Sequence, residues 1–329
     1  MTRLNALALT AALAATPALA GIDEALDDHI LPRLAQFAEA SATLAETARD
    51  DCLPQAVRPA YQAAFDAWMP IADLRIGPSE TGALSIGFWP DPRGFTQRTL
   101  TGLVADQDTV ADDPTGYADV SIAARGVFAL DMLLYDPAFS EYASGSYTCR
   151  LVATIAADLD MQAAELQAAW TDSFVATLRT AGAEGNTTYL TDAEAQRAIF
   201  TQILSSLEFT SGKRLGLPMG SFDRPRPALA EARRSDRSLD NVLLSVDGAV
   251  ALARALADHD LPRTEAALAD VRDAAARIED PTFKDVETPQ GRLHVEVLQQ
   301  TVDALHDTIA AELGEPLGIS AGFNAQDGD

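Results

Sequence analysis

Residues 148–180 read TCRLVATIAADLDMQAAELQAAWTDSFVATLRT, and this stretch decides the fold class. Alanine and leucine, both strong helix formers, are abundant in it. Apolar residues recur at intervals of three and four positions, as at Leu151, Ile155 and Leu159. Because that spacing places apolar side chains on one face of a helix, the stretch predicts a long amphipathic helix.

The same helical pattern extends in both directions along the chain. No segment shows sustained alternation of polar and apolar residues with β-branched enrichment, so strands should be few and short. The sequence therefore predicts an all-α fold. Helices are predicted at residues 22–49, 55–74, 118–135, 148–180, 191–213, 238–258, 262–279 and 291–313.

Two long segments interrupt the pattern and are predicted to be ordered loops. Residues 76–113 contain Gly77-Pro78 and the run Phe88-Trp89-Pro90-Asp91-Pro92. Residues 215–235 contain three prolines and two glycines. Loops of this length in a compact protein are usually functional or packed by their own side chains. The aromatic pair at 88 and 89 indicates that the first loop is ordered.

The charge of the chain restricts its partners. The sequence has 329 residues and a formal net charge of −25 at pH 7. Nucleic acids and anionic membrane surfaces bind proteins that carry basic patches, so neither is an expected partner. An acidic surface suits cationic partners, metal ions included, although most such surface is simply solvated. The length favours about two domains.

The first twenty residues have the features of a secretory signal peptide. Arg3 supplies the positive charge, and an apolar stretch follows it from Leu4 to Ala15. This stretch is shorter than the roughly 20 residues that span a membrane. Ala18-Leu19-Ala20 is a small-x-small cleavage signal. We therefore expect cleavage after Ala20 and a periplasmic or secreted protein that does not insert into the membrane.

Only two cysteines occur, Cys52 and Cys149. In an oxidising compartment an isolated pair favours a disulfide, with two unpaired buried thiols as the alternative. A bridge between them would close a loop of nearly a hundred residues, and chain entropy assigns such a loop about 4–5 kcal/mol of stabilisation. The sequence therefore predicts a covalent tie between two helical segments.

Two short matches suggest an internal duplication. Arg75 and Arg214 each stand at the end of a predicted helix, before an apolar residue and a glycine. The segments that begin at Gly126 and Gly248 are also similar, and both glycines are expected in the middle of a helix. Chance similarity in a chain rich in alanine and leucine is the alternative. A duplication predicts two related helical bundles, at residues 21–185 and 186–320, before a disordered tail at 321–329.

Several of these features resemble the imelysin family of bacterial exported, iron-regulated proteins. The resemblance spans residues 55–220 and implies an all-helical fold of two bundle-like domains. It also implies a role in bacterial iron uptake, with a candidate site between the domains. The matching elements are Trp68, Arg75-Ile76-Gly77-Pro78, Phe88-Trp89-Pro90-Asp91, Gly126 and Lys213-Arg214-Leu215-Gly216-Leu217-Pro218.

The chain departs from the family at its hallmark, Gly-x-His-x-x-Glu on a helix. Here Gly126 is kept, Phe128 replaces the histidine and Asp131 replaces the glutamate. Histidine and glutamate three residues apart share a helix face and can bind one metal ion. Phe128 cannot, so Asp131 alone remains as a candidate ligand for iron or another divalent metal. The resemblance therefore implies the fold more strongly than the metal site.

The family is also described as a peptidase family, but this sequence gives little support for peptidase activity. There is no His-Glu-x-x-His, and no local spacing supplies the three ligands and the base that a zinc hydrolase needs. A non-catalytic binding protein is the favoured interpretation. A metal-dependent peptidase and a scaffold that binds another exported protein are the alternatives.

The candidate ligand pocket lies where the related turns and the hallmark helix would meet. Arg75 and Arg214 could engage an anionic group, such as a chelated-iron ligand, or could merely cap their helices. Asp131 is expected to pair with one of these arginines. The iron ligand or other iron-uptake components are the expected partners. The residues proposed for this pocket are Arg75, Phe128, Asp131, Glu208 and Arg214.

Overall fold

The structure is a computed structural model, and it describes residues 21–318. The predicted signal peptide and the predicted tail at 321–329 lie outside the described residues. The described part is helical and contains no strand, which confirms the all-α prediction. Its helices of eight residues or more are α1 Leu31–Asp50, α2 Pro54–Trp68, α3 Ser79–Ile86, α4 Phe95–Asp106, α5 Gly126–Tyr135, α6 Tyr147–Ala169, α7 Asp192–Phe209, α8 Ser238–Leu256, α9 Pro262–Ala275 and α10 Pro289–Glu312.

Three of these helices are extended by wider π-helical turns. Residues Ala25–Ile30 lead into α1, Trp170–Phe174 follow α6, and Thr210–Leu215 follow α7. Beyond the last of these turns the chain stays helical to Met219. The predicted end of this helix at residue 213 was therefore too early. Wide turns inside helices are often found at functional sites, and this one presents Lys213 and Arg214.

The first predicted loop is largely helical, so the prediction of a continuous loop at 76–113 is wrong. It contains α3 and α4, separated by the segment from Gly87 to Gly94. The carboxylate of Asp91 accepts hydrogen bonds from the backbone N–H groups of Phe95 and Thr96, at 3.0 and 2.8 Å, which satisfies the start of α4. The glycines and prolines mark the ends of two short helices rather than one long loop.

The predicted helix 118–135 begins later than expected. Short 3-10 turns occupy Gly116–Asp119 and Ile122–Ala124, and α5 starts only at Gly126. Gly126 has a φ of +68° and lies directly against the backbone carbonyl of Ile86. A side chain at this position would meet both a left-handed backbone and that carbonyl, so glycine is required here.

One apolar core runs through both halves of the chain. In the first half α1 packs against α2 and α6, and in the second half α9 packs against α10. Helix α8 joins the halves, because it packs on α7 and also on the turn Met69–Ile71. Gly248 allows this approach, since an added Cβ would meet the backbone of Pro70 at 2.6 Å. The division into two domains stays a prediction.

The internal duplication is not confirmed. Gly126 is the first residue of α5, whereas Gly248 lies in the interior of α8. The expectation that both glycines sit mid-helix is therefore wrong for Gly126. The two glycines share only a close approach to a neighbouring backbone, which arises from different parts of their helices.

The predicted disulfide is confirmed. Cys52 and Cys149 are bonded, with their Cα atoms 5.2 Å apart, within the range that a disulfide requires. The bridge ties the connection between α1 and α2 to the first turn of α6, and Tyr142 donates a hydrogen bond to the carbonyl of Cys52 at 2.8 Å. Among residues 21–318, no helix is both long enough and apolar enough to cross a membrane.

Candidate functional site

A cleft of about 420 Å³ opens between the two halves of the chain. One wall is formed by the segment between α3 and α4 together with α5, and the other by the π turn after α7 and the following irregular segment. The volume is typical of a small-molecule site. The lining residues are Phe88, Trp89, Pro90, Asp91, Pro92, Gly94, Thr96, Gln97, Phe128, Asp131, Met132, Lys213, Leu217, Arg226, Ala228, Leu229, Ala230, Ala232 and Arg234.

Helix α5 contributes two of the predicted site residues to this cleft. Phe128 and Asp131 are three residues apart, so they share one face of the helix. Phe128 packs edge-on against Phe65, with ring centroids 5.5 Å apart, and lies nearly parallel to Trp89 at 6.5 Å. These contacts hold the ring in the wall of the cleft at the position of the hallmark histidine.

Asp131 is buried, and its neighbours come from a distant part of the chain. The Ser235 hydroxyl donates a hydrogen bond of 2.5 Å to its Oδ1, and the Tyr61 hydroxyl lies 3.5 Å from the same oxygen. The guanidinium of Arg234 is 3.8 Å from Oδ2. The arginine beside Asp131 is therefore Arg234, and not Arg75 or Arg214 as the sequence suggested.

Burial decides the acidity of Asp131. Removal from water raises the pKa of this carboxyl to about 6, although the hydrogen bond from Ser235 and the charges of Arg234 and Arg233 act in the opposite direction. Keeping the Asp131 carboxylate ionised at neutral pH therefore costs free energy.

The turn that delivers Ser235 and Arg234 is held in an unusual backbone conformation. Residues Arg233–Ser235 form one 3-10 turn, flanked by Ala232 and Asp236 with φ of 46° and 59°. Residues other than glycine rarely adopt this left-handed region. The turn nevertheless lets Arg234 pair with Asp136 at 2.6 Å while Ser235 reaches Asp131.

Arg214 lies behind the cleft wall, in a buried ionic network. Its guanidinium binds the carboxylate of Asp73 at 2.8 and 3.1 Å and that of Glu231 at 2.9 Å. The hydroxyl of Ser245 donates to Asp73 at 2.8 Å, and Asn241 donates to Glu231 at 3.1 Å. Every charge in this network has a partner, and the network joins the segment after the turn Met69–Ile71 to the second half of the chain.

The pKa shifts in the network follow from this pairing. Burial opposes the charge of Asp73, but Arg214 and the hydrogen bonds around it hold the pKa of Asp73 below its ordinary value. Burial dominates for Glu231 and raises its pKa. Burial also works against the charge of Arg214, yet Asp73 and Glu231 raise its pKa above the ordinary value. Arg214 therefore stays protonated, and its charge is neutralised by Asp73 and Glu231.

Arg75 faces a smaller cavity rather than the cleft. This cavity measures about 20 Å³, and Arg75 lines it together with Arg214, Trp89 and Phe128. The Nη1 atom of Arg75 is buried and has no hydrogen-bond partner among the described residues, while its backbone N–H donates to Gln202 at 2.7 Å. Burial lowers the pKa of Arg75. Trp89 and Phe128 thus separate two cavities, because both line the cleft as well.

Glu208 is the predicted residue that lines neither the cleft nor the smaller cavity. It lies on α7 with its side chain 44 % exposed, and its nearest basic partner is His306 at 3.4 Å. The next residue, Phe209, lines the smaller cavity instead. One position along a helix turns a side chain by about 100°, so the residue beside a site residue need not share its face.

Sequence reasoning missed Lys213, Arg226 and Arg234. Lys213 and Arg226 are exposed, and neither side chain forms an ion pair or hydrogen bond with another residue in the described part of the chain. A signal was present in the sequence, because residues 213–237 contain seven basic residues in an otherwise acidic chain. The prediction of a loop rich in glycine and proline drew attention away from this basic cluster.

The residues at the hallmark position do not fit a metal ion held by the protein alone. Phe128 offers no donor atom, and Asp131 already accepts a hydrogen bond from Ser235 and faces Arg234. Among residues 21–318, no three His, Cys, Asp or Glu side chains are grouped so that they could hold a metal ion. We therefore derive no catalytic step from a metal at this position.

Comparison with known proteins agrees with this architecture. The family model Peptidase_M75: Imelysin matches residues 30–309. An imelysin-like protein from Psychrobacter arcticum 273-4 has a similar crystal structure, with a TM-score of 0.74 and 20 % sequence identity over 92 % of this chain and 96 % of that chain. No match was found among the curated proteins. With a family model that covers most of its length and a matching fold, the chain belongs to the imelysin family.

Proposed function

We propose that this protein is a periplasmic, non-catalytic binding component of iron uptake, and that it holds a small anionic ligand in the cleft. The observation that carries the proposal is the pair of exposed cations, Lys213 and Arg226, that line the cleft without an ion pair among the described residues. They do so in a chain with a formal net charge of −25.

The charges inside the cleft favour an anion. Arg234 is already paired with Asp136 at 2.6 Å, and Asp91 is engaged at the start of α4. Lys213 and Arg226 therefore leave positive charge that these carboxylates do not neutralise. A concave site focuses such charge, whereas the acidic exterior repels large polyanions. A small anion is therefore attracted by the positive charge in the cleft and is small enough to enter it.

The cleft is better suited to a chelated ion than to a bare one. Phe128 supplies no donor, and the carboxylate of Asp131 is held by Ser235 and Arg234. Iron that reaches this cleft would therefore need most of its ligands from its chelator. Ferric chelates of organic acids often carry net negative charge, which Lys213 and Arg226 could bind as charge-assisted partners.

The location is part of the proposal. Residues 1–20 have the composition of a signal peptide cleaved after Ala20. The disulfide between Cys52 and Cys149 suits an oxidising compartment. A protein in the periplasm can bind the ligand there and pass it to other iron-uptake components.

The test is calorimetry with ferric citrate and a ferric hydroxybenzoate, each alongside the iron-free acid. We expect the wild type to bind at least one of these anions, and the affinity should fall as the salt concentration rises. The double variant Lys213→Met and Arg226→Met should lose about tenfold or more in affinity. A tenfold loss corresponds to about 1.4 kcal/mol, which is roughly the contribution of one charged contact.

The chain offers a matched control for this experiment. Lys284 is exposed, is not among the cleft residues and is the other lysine of the sequence. Lys284→Met should leave the affinity unchanged. Equal binding by the double variant and the wild type would refute the assignment of the cleft.

A further inference from the structure

The cleft has an apolar side that the anion-binding proposal does not explain. Trp89, Pro90, Phe128 and Leu229 line it together with the two unpaired cations. Trp89 is only half-buried, and so is Phe128. A site for a fully hydrophilic anion would not need this much exposed aromatic surface at its wall.

The position of Trp89 is fixed from two directions. Its ring lies nearly parallel to that of Phe128 and edge-on to that of Phe209, with centroids 5.9 Å apart. These aromatic contacts limit the freedom of the indole, so little further ordering is needed when a ligand ring packs against it. The indole of Trp89 is therefore held in place at the wall of the cleft before any ligand binds.

The number of polar partners restricts the ligand as well. Lys213, Arg226 and Arg234 are the cationic donors at the cleft. An aliphatic tricarboxylate carries its charge on three separate groups, so a pose that holds one of them at the cations turns another toward the apolar side chains. Unpaired polar groups that lose water are costly. An aromatic acid presents few oxygens on one edge and an apolar ring on its faces, which matches the two kinds of lining.

We propose that the cleft selects an aromatic hydroxy-acid anion, of the hydroxybenzoate type, either free or as the donor group of an iron chelate. The acid group lies at Lys213 and Arg226, and the ring packs on the aromatic wall of Trp89 and Phe128. This inference rests on the proposed function, since it names the ligand class of the same site.

The experiment compares three iron-free anions on the wild-type protein by calorimetry: 2,3-dihydroxybenzoate, cyclohexanecarboxylate and citrate. We expect 2,3-dihydroxybenzoate to bind about tenfold tighter than either of the others, because only it combines a flat ring with a compact set of oxygens. Citrate binding as tightly as 2,3-dihydroxybenzoate, or tighter, would overturn the inference while leaving the anion site intact. If none of the anions binds, with or without iron, both proposals fail.

Two variants then test which residue contacts the ring of the ligand and which contacts its acid group. Trp89→Leu should weaken 2,3-dihydroxybenzoate about fivefold to tenfold and leave citrate unchanged, because it removes the ring surface but no charge. Lys213→Met should weaken both. An equal loss for both anions in Trp89→Leu would contradict a stacking role. Should Trp89→Leu fail to fold, the ranking of the three anions on the wild type still decides.

Discussion

Lys213 and Arg214 are neighbours in the sequence, yet the structure gives them opposite roles. Arg214 is 2 % exposed and bound to two carboxylates, whereas Lys213 is exposed at the cleft and has no ion pair in the described part of the chain. The π turn at Thr210–Leu215 carries both. A basic residue near a site is therefore available to a ligand only when no carboxylate of the fold has already paired with it.

The two cavities differ in the charges that line them. The smaller one, behind Trp89 and Phe128, contains the paired charges of Asp73, Arg214 and Glu231, and also Arg75, whose Nη1 atom has no hydrogen-bond partner among the described residues. The cleft in front contains cations that the fold leaves unpaired. Four substitutions across this boundary test the distinction, and their expected effects decrease from the buried side to the exposed side.

The largest effect is expected for Arg214→Met. The variant leaves Asp73 and Glu231 buried without their counter-ion, and removal of one partner from a buried ion pair costs about 3–5 kcal/mol. Urea unfolding followed by circular dichroism measures this loss. A loss below about 1 kcal/mol would show that the network contributes little to stability and that Arg214 does not differ from an exposed charge such as Lys213.

The next effect is a change in pH dependence for Asp131→Asn. The folded pKa of Asp131 is about 6 and its ordinary value is 3.8, so the folded state holds the proton more tightly than the unfolded state. The contribution of Asp131 to stability therefore falls as the pH rises from about 4 through 6. The free energy of unfolding of the variant, minus that of the wild type, should increase by about 2–3 kcal/mol over this window.

Urea unfolding at a series of pH values checks this prediction. The comparison of variant and wild type cancels the titration of groups that both proteins share. A difference that stays flat between pH 4 and 8 would mean that the hydrogen bond from Ser235 and the charges of Arg234 and Arg233 fully offset the effect of burial on the pKa of Asp131.

A smaller effect is expected for Arg234→Met, which lies at the boundary. Its side chain is 23 % exposed and pairs with Asp136, so we expect a loss of about 1–2 kcal/mol in unfolding free energy. The charge of Arg234 also lowers the pKa of Asp131. The variant should therefore move the pH-dependent loss of stability to higher pH, which the same unfolding series would detect. No movement would exclude coupling between the two groups.

The smallest effect on stability is expected for Lys213→Met. An exposed side chain without an ion pair contributes about 0.5 kcal/mol or less, so the unfolding midpoint should match that of the wild type. Its effect should appear in anion affinity instead. A large loss of stability in this variant would place Lys213 among the structural charges, together with Arg214.

Much of the fold could be predicted from local pattern. The spacing of apolar residues in 148–180 predicted the helix that runs from Tyr147 through Arg179, and the cysteine count predicted the bridge. The prediction failed at 76–113, because glycine and proline mark both the ends of short helices and true loops. The N-terminal cap of α4 by Asp91 resolves the ambiguity, and it became visible only in the structure.

The candidate site was less predictable, because its partners are far apart in sequence. Arg214 binds Asp73 across 141 residues, and Ser235 reaches Asp131 across 104. The sequence placed Phe128 and Asp131 on one helix face correctly, since that relation is fixed by the 3.6-residue period. It assigned the wrong arginine to Asp131, since no local rule relates residue 131 to residue 234.

The amino-acid sequence alone accounts for the long amphipathic helices, for the absence of a donor atom at Phe128 and for the acidic character of the chain. Each of these depends on residue identity or on spacings of a few residues, which local backbone geometry converts directly into structure. Only the tertiary structure decided which cations remain available at the cleft. Pairing energy depends on distance and burial, and these are set when α5, α7, α8 and the turn at Arg233–Ser235 pack together.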